Sequence, residues 1–179
     1  MKRFIVCGIA VLLALSVQAS PIAKGADEVR TEVVYDLSQS GDPYVAILGG
    51  IGHFVRDNLL LGGYASFEKK SWKSYWGVSD LWELGVYGEY DYLHYEKTIP
   101  FLGLSMGLVD GDLPENDTLF VARATAGVKY FVTKIVALSL NLNLDMSSKG
   151  VFDFKRVSDT EGDGDSIGFS LGLGARSVF

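Results

Sequence analysis

The sequence predicts an all-β fold: an eight-stranded antiparallel up-and-down transmembrane β-barrel. Three observations predict it. Apolar and polar residues alternate with a period of two over eight stretches, the connections alternate between short and long, and one face of each stretch is nearly free of charge. The alternation is plain at the end of the chain. There Ile167, Phe169, Leu171, Leu173, Ala175, Ser177 and Phe179 share one face, and Ser166, Gly168, Ser170, Gly172, Gly174 and Arg176 share the other.

The strands are preceded by a processing signal. Lys2 and Arg3 form a positive start, residues 4–17 are apolar, and Val17-Gln18-Ala19 is a small-residue cleavage pattern. Residues 1–19 therefore read as a secretory signal peptide cut after Ala19. Cys7, the only cysteine, lies in the removed segment, so the mature chain has no thiol for a disulfide or a metal. Loss of Lys2 and Arg3 takes the formal charge from −6 to −8, which argues against a nucleic-acid partner. After cleavage no run of about 18 apolar residues is left for a transmembrane helix, whereas the signal of a membrane strand is much weaker per segment. Residues 20–28 read as a periplasmic lead-in without structure, and residues 29–179 as the barrel domain.

Strand one sets Val29, Thr31, Val33, Tyr35 and Leu37 against Arg30, Glu32, Val34, Asp36 and Ser38. Residues 39–43 form a turn signal. Strand two, 44–55, sets Val45, Ile47, Gly49, Ile51 and His53 outward, with Ala46, Leu48, Gly50, Gly52 and Phe54 inward. After the tight turn at 56–58, strand three runs to about Lys69 with Leu61, Ala65 and Phe67 out and Leu60, Tyr64 and Glu68 in. Residues 70–80 form a longer basic and aromatic loop. Strand four, 81–94, sets Trp82, Leu84, Val86 and Tyr90 against Glu83, Tyr87, Glu89 and Asp91.

A short connection at 95–98 leads to strand five, 99–109, where Leu102, Leu104, Met106 and Leu108 alternate with Phe101, Gly103, Ser105 and Gly107. Pro100 is tolerable near a strand start. An acidic loop, 110–117, precedes strand six, 118–132, with Phe120, Val128 and Tyr130 opposed to Arg123, Thr125 and Lys129. Thr133-Lys134 is a tight turn. Strand seven is the cleanest, with Leu138, Leu140, Leu142 and Leu144 against Ser139, Asn141, Asn143 and Asp145. The longest polar loop, 147–165, leads to strand eight.

Alternation alone does not say which face is inside. Apolar faces turned inward would make a soluble, exported, lipocalin-like ligand carrier. Two features choose the membrane. Short turns follow strands two, four and six while longer loops follow the others, the layout of barrels with periplasmic turns and exterior loops. Aromatic residues gather near strand ends (Tyr35, Phe67, Trp82, Tyr92, Tyr130 and Phe179), as interfacial girdles do. The charged faces then become the lumen. They supply a structural network of Arg30, Glu32, Glu68, Glu83, Glu89, Arg123, Lys129, Asp145 and Arg176, with Asp36 and Asp91 on the same faces. Eight strands leave room for little beyond these side chains. The many lumen glycines, Gly62 and Gly85 among them, admit two readings: a narrow path for small solutes, or close packing around Tyr64, Tyr87 and Arg123.

Two hairpins carry a resemblance. One is Gly52-His53-Phe54-Val55-Arg56-Asp57-Asn58-Leu59-Leu60-Leu61-Gly62, and the other is Val128-Lys129-Tyr130-Phe131-Val132-Thr133-Lys134-Ile135-Val136-Ala137-Leu138. With the terminal strand ending in Phe179, they resemble the small eight-stranded outer-membrane β-barrel proteins of Gram-negative bacteria, the OmpA-like and opacity-protein-like group. The resemblance is one of pattern and spans the mature chain. It implies residence in the cell outer membrane as a monomer with a structural or surface-interaction role. It also implies that Phe179 is an assembly signal read by the barrel assembly machinery.

Few residues of the chain are placed for chemistry. The mature chain has two histidines, His53 and His94, each near a strand end. Lipid A deacylases of this size use a Ser activated by a His, but Phe54-Val55 follows His53 and Tyr95-Glu96 follows His94, so the His-x-Ser arrangement is missing. Residues 159–165 resemble the start of a calcium loop, but the twelfth position, which should be Glu, is Ser170. No catalytic residue, cofactor or metal site is expected. Lys69, Lys70, Trp72, Lys73 and Trp76 suit contact with lipopolysaccharide phosphates, so lipid and lipopolysaccharide are the expected partners.

Overall fold

The computed structural model describes residues 22–36, 45–71, 78–92, 97–111, 118–148 and 167–179; at 36, 69–71 and 78–80 only the backbone is described. The strands are β1 (Asp27–Asp36), β2 (Val45–Arg56), β3 (Leu59–Ser71), β4 (Val78–Asp91), β5 (Thr98–Gly111), β6 (Leu119–Phe131), β7 (Val136–Ser147) and β8 (Ile167–Val178). Each pairs antiparallel with its neighbours in sequence, and β1 pairs with β8 from Glu28↔Val178 to Asp36↔Ser170. The β1–β8 pairing closes the sheet, so no strand of the wall is left as an open edge.

The faces follow the sequence alternation. In β7 the burial alternates residue by residue, with Ala137, Ser139, Asn141, Asn143 and Asp145 inside and Leu138, Leu140 and Leu142 outside. The charged faces line the interior and the apolar faces form the exterior, which removes the lipocalin-like alternative. A ligand carrier needs the opposite arrangement.

The interior is layered. At the short-turn end Phe54, Leu60, Ile99, Phe131, Ala137 and Val178 form an apolar plug. The polar layer lies above it. Leu81, Val109, Leu119 and Val121 form a second apolar cluster toward the long-loop end.

The lead-in differs from the sequence expectation. Ile22 and Ala26 are buried in the lower plug. The Gly25 N–H donates to the Phe54 carbonyl at 2.8 Å, and the Phe54 N–H donates to the Ala26 carbonyl at 2.9 Å. Two apolar residues four apart in a short polar stretch carry no period-two signal, so the sequence hides this packing. β1 also begins two residues before Val29, which brings Glu28 onto the lumen face beside Arg30. β4 begins at Val78 where a loop is expected, because the ladder continues as Lys69↔Asp80, Lys70↔Ser79 and Ser71↔Val78. Backbone pairing is indifferent to side-chain polarity, so a polar stretch conceals such an extension. Ser177 sits on the outward parity but is buried between its cross-strand neighbours Val29 and Val136.

The lumen glycines serve close packing. A Cβ on Gly62 would lie 2.6 Å from the Tyr87 ring, and one on Gly85 would lie 2.5 Å from the Tyr64 ring. The two tyrosines fill the space the glycines leave, and the Arg30 guanidinium stacks 3.6 Å from the Tyr87 centroid. Between Arg30, Glu32, Arg123 and Asn141 a void of about 20 Å³ is left, room for about one water.

Candidate functional site

The polar layer is built from side chains that the register brings inward. Arg30 and Arg176 face each other directly across the β1–β8 ladder. Like charges in that position repel. Glu89 reaches them from β4: both its oxygens lie 2.8 Å from Arg176 Nη1, and Oε2 lies 3.8 Å from Arg30 Nη1. Glu28 accepts a further bond from Arg176 at 3.0 Å.

Lys129 completes the group. Its Nζ lies 3.0 Å from Glu28, 2.9 Å from Asp91 and 2.5 Å from Glu89. The ammonium is fully buried and has Phe54 and Phe101 rings at 5.6 and 5.5 Å. Three cations, Arg30, Lys129 and Arg176, meet three carboxylates, Glu28, Glu89 and Asp91. The charges balance, as desolvated ions require.

A second cluster sits nearer the long-loop end. Arg123 opposes Asp145 across the β6–β7 ladder and donates to it from Nε. Glu83 lies 3.6 Å from Arg123 and accepts the Tyr64 hydroxyl proton in a hydrogen bond. Hydroxyl and amide groups extend the cluster around the wall. Ser170 donates to Asp145 at 3.0 Å, Asn143 donates to Ser170 at 3.1 Å, and Thr125 donates to Asn143 at 2.9 Å.

The exterior is the other half of the site. Ile47, Ile51, Leu84, Val86, Leu104, Leu142 and Leu173 lie on it at 54% exposure or more. Tyr35, Trp82, Tyr92 and Tyr130 are exposed nearer its margins. An apolar belt on this scale is unstable in water and suits hydrocarbon.

No family model matches the chain, and no curated protein matches its sequence. Solved structures do. Neisserial surface protein A superposes with a TM-score of 0.61 at 17% identity, covering 86% of this chain and 96% of that one. A de novo designed transmembrane β-barrel gives 0.55 at 18%, covering 87% and 97%. The N-terminal β-barrel domain of Pseudomonas aeruginosa OprF gives 0.52 at 14%, covering 87% and 98%. The chain has the small outer-membrane β-barrel fold.

Within that fold the structure places Arg30, Glu32, Glu83, Glu89, Lys129, Asp145 and Arg176 buried in the lumen. Arg123 is on the same face at 12% side-chain exposure, and Glu68 is half-buried. The register does not make these a single network: Arg30, Glu89, Lys129 and Arg176 fall in the first cluster, and Glu83, Arg123 and Asp145 in the second. Glu28 is absent from the sequence-derived set because the barrel is expected to start at Val29. Its parity with Arg30 was the available signal.

Outside the lumen, His53 is exposed and bonded to Asp27 at 2.8 Å, and Phe179 is exposed at the end of β8. His94, residues 1–19, the calcium-like stretch at 159–165 and the side chains of Lys69, Lys70, Trp72, Lys73 and Trp76 lie outside the described residues.

Proposed function

We propose that this chain is an integral protein of the outer membrane with a non-catalytic, structural or surface-interaction role. The observation that supports it is the pairing of an apolar exterior with an interior occupied by ion-paired side chains and closed by an apolar plug. The void of about 20 Å³ between the clusters is too small for solute passage at rest. A non-catalytic role is supported by the sequence His53-Phe54-Val55, which has valine where a His-x-Ser arrangement would place the serine. The longer exterior connections carry the specificity toward surface partners.

The expected behaviour is direct. The mature protein stays in the membrane fraction after alkaline carbonate washing and migrates differently on gels when unboiled. In planar bilayers it shows no steady conductance. Recovery as a soluble monomer would refute membrane residence, and steady single-channel openings would favour a narrow solute channel.

Phe179 has a separate proposed role as the signal for the barrel assembly machinery. Its backbone exchanges hydrogen bonds of 2.8 and 2.9 Å with Asp27, so closure uses the main chain and leaves the ring exposed. Phe179→Ala keeps both bonds. Loss of assembled barrel in cells, with little change in the stability of barrel refolded in lipid, is the expected result. Normal assembly of Phe179→Ala would remove the signal role.

A further inference from the structure

Glu32 stands apart from both ion clusters. In the first, Glu28, Glu89 and Asp91 meet Arg30, Lys129 and Arg176. In the second, Glu83 and Asp145 share Arg123, and Glu83 also accepts from Tyr64. Glu32 is 5% exposed, has no ion-pair partner among the described residues, and has no hydrogen-bond partner at Oε1. Among these residues carboxylates outnumber cations by two.

Two neutral side chains join Glu32. It lies on β1, and Ser139 and Asn141 lie on β7, so the three flank β8 from its two sides at Gly172 and Gly174. A Cβ on Gly172 would lie 2.6 Å from Glu32 Oε1 and against the Asn141 amide; one on Gly174 would lie 2.9 Å from Glu32 Cγ and from Ser139 Oγ. The glycines thus let side chains of both neighbouring strands lean together over β8. Ser139 and Asn141 are buried, and Asn141 Nδ2 donates to Asn143 at 3.2 Å. Asn141 Oδ1, Ser139 Oγ and Glu32 Oε1 are left as buried oxygens without a hydrogen-bond partner. Buried oxygens in that state, one of them anionic, call for a positive partner.

We propose that Glu32 Oε1, Ser139 Oγ and Asn141 Oδ1 bind one sodium ion. The three oxygens are too closely enclosed to present surface to water. A hard cation sits closer, at about 2.0–2.6 Å from oxygen against about 2.8 Å for a water. One carboxylate matches a single positive charge, whereas divalent ions draw on more. Arg176 directs its Nη1 to Glu28 and Glu89, which leaves Glu32 to the ion. The adjoining void of about 20 Å³, lined by Glu32 and Asn141, has room for one water to complete the shell. The site depends on the barrel fold and not on the surface role.

The test uses the full mature chain refolded in phosphatidylcholine vesicles. Urea unfolding is followed by tryptophan emission while sodium chloride is exchanged for choline chloride at constant ionic strength. Once sodium exceeds its dissociation constant, each tenfold rise should raise the folding equilibrium constant about tenfold, because one ion is released on unfolding. Potassium should act more weakly. Glu32→Gln keeps the shape, removes the charge and should abolish the sodium dependence. Ser139→Ala keeps the charge and should raise the half-saturating sodium concentration about tenfold, the effect of one lost ligand oxygen. A midpoint indifferent to sodium would overturn the proposal and show Glu32 to be neutralised by a proton. Sodium dependence that survives in Glu32→Gln, or equal action of potassium, would overturn it as well. Should Glu32→Gln fail to fold, an unchanged half-saturation in Ser139→Ala would do the same.

Discussion

Replacing Lys129 by methionine should cost the folded barrel about 3–5 kcal/mol. The methionine keeps the length of the side chain and its fit between Phe54 and Phe101, so the loss is electrostatic. Glu28, Glu89 and Asp91 stay in place with one cation fewer, in a layer sealed from water by the apolar plug. The attraction of the intact network does little more than offset the desolvation of its members, yet a carboxylate left without its partner bears the full desolvation penalty. The measurement is urea unfolding in lipid vesicles, followed by tryptophan emission, with a fall in midpoint and an unchanged slope. Adding Glu28→Gln to Lys129→Met should recover part of the loss, since it removes one stranded charge. A change below about 1 kcal/mol would show the network to be solvated and not sealed.

Leu104→Arg separates a membrane barrel from a water-soluble one. Leu104 is 70% exposed, midway along β5. On a protein in water such a substitution changes stability by about 0.5 kcal/mol or less. In a bilayer the same arginine lies near the midplane and should cost about 2–4 kcal/mol. Val132→Arg is the control. Val132 is 50% exposed just beyond the end of β6, where the interface makes the cost about 0–1 kcal/mol. Vesicle refolding with urea titration checks both. Equal, small effects at the two positions would contradict the depth dependence on which the membrane reading stands.

Much of the fold is legible because a strand reports its two faces through a local repeat. In β7 Leu138, Leu140 and Leu142 alternate with Ser139, Asn141 and Asn143, and the structure keeps that parity without a slip. The turn at Asp57-Asn58 joins β2 to β3 as its polar residues imply. Strand ends are harder to read. Lys69, Lys70 and Ser79 extend the β3–β4 ladder through backbone groups alone, and composition does not see backbone groups. The lead-in escapes for a related reason: Ile22 and Ala26 pack by position, without any repeat.

The lumen was legible as a set of residues but not as an arrangement. Alternation assigns Arg30, Glu89, Lys129 and Arg176 to one face, because parity is a property of each strand taken alone. Which of them meet is decided by closure. Lys129 reaches Glu28 across 101 residues of sequence, and Arg176 reaches Glu28 across 148. Such contacts depend on the stagger of strands around the barrel, which no local pattern encodes. The same holds for the glycines. Their abundance left open a solute path or a packed interior, and only the placement of Tyr87 over Gly62 and Tyr64 over Gly85 fills that space. The sequence by itself determined eight strands and their two faces, since these follow from a two-residue period, and it pointed to the side that meets lipid through the alternation of short and long connections and the aromatic strand ends. The tertiary structure decided the pairing of charges and the closing of the lumen, since both require side chains from distant strands to converge on one point.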